Sequence, residues 1–78
     1  MTQGQCRAAR ALLDWSQSDL ARAAHVSIST VRDFESGLRT PIANNISALQ
    51  RALESKGIVF RSGSKLGIEW IPSLDTAK

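Results

Sequence analysis

Cysteine occurs once, at Cys6, histidine once, at His25, and tyrosine not at all. A lone cysteine cannot close an internal disulfide. One cysteine and one histidine also fall short of a four-ligand zinc site, so neither a metal nor another cofactor is expected. Cys6 reads as a small apolar core residue of the first helix rather than a redox group. No apolar run approaches the roughly 18 residues needed to cross a bilayer, and the N-terminal stretch MTQGQCRAAR lacks the apolar centre of a signal peptide. These absences predict a cytoplasmic chain with no membrane partner. Catalytic patterns are missing too. Without a Ser-His-Asp set, a glycine-rich phosphate loop or a carboxylate pair with an evident task, an enzyme is not expected.

What is present is an ordinary folded composition. The 78 residues are 42% hydrophobic and 22% charged, enough for one domain and too regular for a disordered chain. A core of this size is marginal alone, which makes dimerisation a reasonable expectation. Ten Lys and Arg against seven Asp and Glu give a net charge of +3. That balance suits a polyanionic partner and a plain solvated surface equally well, so the positions of the arginines must decide.

Apolar residues Cys6, Ala9 and Leu13 recur at helical steps and predict a first helix over Gln3 to Leu13. Ser16, with Asp19 three residues on, has the form of a capping box and opens a second helix over Gln17 to Ala24. Ser27 is the next capping candidate. It introduces Ile28, Val31 and Phe34 at one-turn spacing, a third helix ending at Ser36 because Gly37 suits a left-handed terminus. A loop follows over Leu38 to Asn44, held open by Pro41. Asn44 or Asn45 then caps a fourth helix carrying Ile46, Leu49 and Leu53 as far as Gly57. Beyond it Ile58 to Arg61 and the alternating Leu66, Ile68 and Trp70 predict a β-hairpin around the turn Ser62-Gly63-Ser64, with Pro72 closing the second strand. The fold class expected is therefore mainly α, with four helices and a C-terminal hairpin. The expected divisions are a helical domain over residues 1–57, a hairpin over 58–72 and a flexible tail over 73–78.

Two short helices joined by a turn of three or four residues can read DNA, the first bracing the backbone while the second enters the major groove. Gln17 to Ser36 meets that spacing. Leu20, Ala24, Val26, Val31 and Phe34 can share one core, and Ala21 is small where the helices approach. In Ser16-Gln17-Ser18-Asp19-Leu20-Ala21, Val26-Ser27, Thr30-Val31, Phe34-Glu35-Ser36-Gly37 and Arg39-Thr40-Pro41, the chain resembles the Xre/Cro-like helix-turn-helix family of phage repressors and their bacterial relatives. The resemblance runs over about residues 6 to 57, and Leu53 to Phe60 looks like members with a C-terminal strand or hairpin. His25 departs from it. The family usually has glycine there because the turn needs positive φ, a region histidine tolerates better than most residues.

The resemblance implies double-stranded DNA as partner and a role in transcription regulation. Residues at the start of the third helix would read base edges, which maps onto Ser27, Ile28, Ser29, Arg32 and Asp33. Arginine can bind guanine O6 and N7 bidentately, isoleucine can touch a thymine methyl, and serine can bond bases or phosphates. Asp33 fits only by accepting from cytosine or pairing with an arginine. Gln17, at the start of the second helix, with Arg39, Thr40 and Asn44 would hold phosphates. Arg10 and Glu35 correspond to a structural ion pair in the family.

The hairpin is marginal by itself but richly apolar. Packing on the fourth helix of its own chain is one solution. The other, preferred because two recognition helices read a palindrome, makes Ile58, Phe60, Leu66, Ile68 and Trp70 the contacts of a homodimer. The expected function is thus an operator-binding, autoregulatory homodimer. The alternative is an antitoxin or antiactivator whose C-terminal segment binds a partner protein.

Overall fold

Three of the four helices begin where a side-chain oxygen meets the otherwise unpaired N–H groups of a first turn. In the computed structural model, which describes residues 1–62 and 67–75, α1 spans Gln3–Leu13, α2 Gln17–Ala24, α3 Ile28–Ser36 and α4 Ala43–Glu54. Thr2 caps α1 through Gln5 N, Ser16 caps α2 through Asp19 N, and Ser27 caps α3 through Thr30 N. In the first two the third helical residue answers with its own side chain, completing a reciprocal box. Helix α4 differs from expectation. Its N-cap is Ile42, which makes no side-chain cap, and Asn44 and Asn45 lie inside the first turn. The Ile42 carbonyl already accepts from Asn45 N at 2.9 Å and Ile46 N at 3.2 Å, so the helix starts ahead of both asparagines.

The three tight helix ends are left-handed. Asp14 and His25, at φ 57 and 58, end α1 and α2, and Gly37, at φ 75, ends α3. After α2 the Val26 N–H returns to the Ala21 carbonyl at 3.0 Å and that of His25 to Arg22 at 3.3 Å, a Schellman closure. The positive φ expected at His25 is therefore present, borne by a residue with a Cβ.

Strands β1 (Ile58–Arg61) and β2 (Gly67–Trp70) form an antiparallel pair in which Ile58 faces Trp70 and Phe60 faces Ile68. These four share one side of the ribbon, and Val59, Arg61 and Glu69 share the other, where Arg61 and Glu69 pair at 2.8 Å. The apolar side is turned to the chain's own core. Leu20, Leu49, Leu53, Val31 and Cys6 are fully buried there together with Ile58, and Phe60 and Ile68 pack half-buried against them. Ile58, expected at a dimer contact, is 2% exposed and enclosed in the core of its own chain. Among the dimer candidates described, Trp70 is the exposed one; Leu66 and the 63–64 turn lie outside the described residues.

Gly57 makes the return to the hairpin possible. Its φ is +93, and a Cβ there would collide with the backbone carbonyl of Ile71, whose N–H donates to the Gly57 carbonyl at 2.8 Å. The expected tail is also partly tied back. Pro72–Leu74 form one 3-10 turn, and Lys56 and Asp75 pair at 3.6 Å. Among the described residues no helix is long and apolar enough to cross a membrane, and no group of three or more His, Cys, Asp or Glu is placed to hold a metal ion.

Candidate nucleic-acid interface

One buried carboxylate holds the first three helices in register. Glu35, 3% exposed on α3, accepts from Arg10 Nε at 2.7 Å and Nη2 at 2.8 Å, from Gln17 Nε2 at 3.1 Å and from the Cys6 thiol at 3.2 Å. Arg10 also donates to the Trp15 carbonyl at 3.0 Å, and Arg7 donates to the Glu35 backbone carbonyl. Helix α1 thus supplies a thiol and the Arg10 guanidinium to the carboxylate and the Arg7 guanidinium to the backbone carbonyl of the same residue, and α2 supplies an amide. Burial alone would raise the Glu35 carboxyl. The bonds from Arg10, Gln17 and Cys6 outweigh it and hold the group below the usual carboxylate range. Arg10 is shifted upward by its bond to Glu35, so the pair is ionised throughout the neutral range. Burial pushes the Cys6 thiol far up, with the Glu35 bond acting in the same direction, which leaves it a thiol donor rather than a nucleophile.

Against that frame α3 presents a clear division. Val31, Phe34 and Glu35 are buried, whereas Ile28, Ser29, Arg32 and Ser36 are exposed and Asp33 is half-buried between them. Spacings of one, four and eight residues put Ile28, Ser29, Arg32 and Ser36 on one side of the helix. Ala21 and Ala24 are buried in α2, whose lack of bulk lets α2 and α3 pack closely. Ile28 is 43% exposed, a large apolar side chain at the very start of the outer face.

The remaining candidates differ in exposure and in what their groups are bonded to. Arg39 is exposed on the loop, whose backbone is held to α3 by the Arg39 N–H on the Asp33 carbonyl at 3.5 Å, and Thr40 is exposed beside it. Among the described residues, the side chains of Arg32 and Arg39 have no carboxylate partner, whereas Arg22 sits 3.5 Å from Asp19. Asn44 is exposed in the first turn of α4 and is not spent on capping. Gln17 is half-buried, with one amide hydrogen committed to Glu35. Its side chain therefore keeps one N–H and the carbonyl, and the backbone N–H groups of Gln17 and Ser18 remain in an uncapped position at the helix start. Ser27 is exposed, yet its hydroxyl is bonded within the start of α3 rather than directed away from it.

Sequence reasoning missed two polar residues that set this geometry. Gln5 is 8% exposed and donates to the carbonyls of Arg61 at 2.7 Å and Gly67 at 3.0 Å, while its own carbonyl oxygen accepts from Thr2 N at 2.8 Å. It ties the start of α1 to both strands of the hairpin. A polar residue one step from Cys6 on the buried side of α1 is the only hint of this in the sequence. Gln17, expected on a phosphate, also donates to Glu35, a contact across 18 residues that no local spacing signals.

A family model described as helix-turn-helix matches residues 7–58, more than half of the chain. No curated protein matches the sequence.

Proposed function

We propose a function from one premise: the chain belongs to the Xre/Cro-like helix-turn-helix family, whose members are DNA-binding regulatory domains rather than enzymes. On our reading it binds a palindromic operator as a homodimer and regulates transcription. The observation that carries this is the outer face of α3, where Ile28, Ser29 and Arg32 stand exposed, followed on the loop by an exposed Arg39 with no carboxylate partner among the described residues. Such a face can offer an apolar contact, a hydroxyl and a guanidinium to base edges in the major groove. On this reading Arg39, Thr40, Asn44 and the N-terminal amides of α2 hold the flanking phosphates. Asp33, at the edge of this face, suits a cytosine amino group.

The homodimer rests on reach, because one α3 covers few base pairs and two related by a two-fold axis cover a palindrome. With Ile58 enclosed in the core, the exposed large apolar side chains at the C-terminal end, among the described residues, are Trp70, 42% exposed, and Leu74, 49% exposed. The same two side chains favour the second reading, a protein partner of an antitoxin or antiactivator. Selection of bound duplexes from a random pool, with sedimentation of the free protein, tests the proposal. A palindromic motif and a dimer support it. No enriched motif, with a stoichiometric protein partner in native purification, supports the second reading instead. Autoregulation is tested by whether the enriched motif occurs ahead of the chain's own coding sequence.

A further inference from the structure

The outer side of α3 carries one apolar residue among polar ones. Ile28, the first residue of the helix, is 43% exposed, and Ser29, Arg32 and Ser36 share its side. The branch at its Cβ leaves an isoleucine in a helix with one strongly preferred rotamer, so Ile28 offers a stiff apolar end rather than a mobile chain. Ser27 caps the turn that bears it, its hydroxyl accepting from Thr30 N. Arg32 stands one turn along the same side, and its guanidinium has no carboxylate partner among the described residues.

With α3 in the major groove, the residues at its start are the ones that meet base edges. Those edges are mostly donors and acceptors, against which an alkyl side chain makes no bond and takes water away from groups that need it. The exception is the methyl group on C5 of thymine. A base position that fits Ile28 therefore carries a C5 methyl. Cytosine methylated at C5 has the same methyl on the same ring carbon and the same groove edge. It differs from thymine at C4, amino against carbonyl, and Ile28 has no polar side-chain atom with which to tell the two apart.

We propose that Ile28 reads the pyrimidine C5 methyl, so that methylating a cytosine at the position it faces strengthens binding. Occupancy of the site on DNA then responds to base methylation as well as to sequence. The inference rests on the DNA-binding reading above and deepens it at one base position, with 5-methylcytosine as the added ligand.

The test starts from the duplex that the full chain enriches from a random pool. The position whose preference is flattened by Ile28→Ala should be an A·T pair, and a G·C pair there overturns the proposal. Four versions of that duplex then carry thymine, uracil, cytosine or 5-methylcytosine at this position, each opposite its own partner. Thymine against uracil and 5-methylcytosine against cytosine differ by the methyl alone, and each pair is compared on one protein, so a general loosening of a variant cancels. The wild-type chain should bind the methylated member of each pair about fourfold more tightly for each half-site changed, the worth of one buried methyl group. Ile28→Ala should abolish both differences, and Ile28→Val, still branched, should keep them. Equal wild-type affinities within either pair overturn the proposal while leaving DNA binding intact. So do differences that survive in Ile28→Ala, which assign the methyl to another group. Failure of the wild-type chain to enrich any duplex overturns the DNA reading and the proposal together.

Discussion

Replacing Glu35 with glutamine should cost this domain a large part of its stability. The carboxylate is 3% exposed, and the Arg10 side chain it holds is 19% exposed, so the pair is shielded from water by its surroundings. In Glu35→Gln the volume is nearly unchanged, but two guanidinium N–H bonds at 2.7 and 2.8 Å lose their charged acceptor. The amide group must also turn one of its own hydrogens toward Arg10, Gln17 or Cys6. Removing one member of a buried ion pair costs about 3 to 5 kcal/mol because the other charge stays buried without compensation. Arg10 keeps its bond to the Trp15 carbonyl and some contact with solvent, which places the estimate near the lower limit, about 3 kcal/mol. For a domain of this size each kcal/mol moves the midpoint by roughly 4 to 8 °C, so the Tm should fall by about 12 to 24 °C.

Acid supplies an independent check on the cause. The folded carboxyl titrates below its unfolded value, so its contribution is fully present above the unfolded pKa, about 4.3 for glutamate, and is lost as pH falls through the folded pKa. The gap between wild-type and Glu35→Gln melting curves, followed by far-UV circular dichroism, should be constant from pH 7 to about pH 5 and narrow below about pH 4. Coincident midpoints at pH 7 would refute the ion-pair argument. A gap that persists unchanged in acid would show that shape, rather than charge, makes Glu35 necessary.

Other expectations follow from single residues. His25→Gly removes a side chain from the left-handed region, relief of about 1 to 2 kcal/mol offset by about 0.5 to 1 kcal/mol of added chain entropy, so the melting midpoint should rise by a few degrees. Gly57→Ala should destabilise by more than about 2 kcal/mol, because its φ of +93 and the Ile71 carbonyl both exclude a Cβ; an unchanged denaturation midpoint would show that the hairpin shifts freely. Arg32→Ala should flatten the preference at one or two base pairs by about 1 to 3 kcal/mol, measured on single-base operator variants. Arg39→Ala should instead weaken all sequences alike and lower the salt slope by about one, and a parental slope would take Arg39 off the phosphates.

The sequence by itself determined the four helices and the ends of the first three, because those depend on residues within a few positions of one another. Cys6, Ala9 and Leu13 mark the buried side of α1, Ser16 and Asp19 form the expected reciprocal cap, and Gly37 takes the left-handed conformation its lack of a Cβ allows. The outer face of α3 was legible for the same reason, since burying Val31 and Phe34 forces Ile28, Ser29 and Arg32 outward. Local signals misled at α4, where the two asparagines suggested a cap and the chain leaving Pro41 turned helical before reaching them. Tertiary structure alone decided the rest. Only the packed helices bring Cys6, Arg10 and Gln17, up to 29 residues from Glu35, onto one carboxylate, and only the closed fold brings Gln5 to carbonyls 56 and 62 residues away. Alternation along β1 and β2 divided the hairpin into two faces, but it carries no statement of what covers either one. That was settled by the space between α1 and α4, which Ile58, Phe60 and Ile68 fill because their burial there removes apolar surface from water within the same chain.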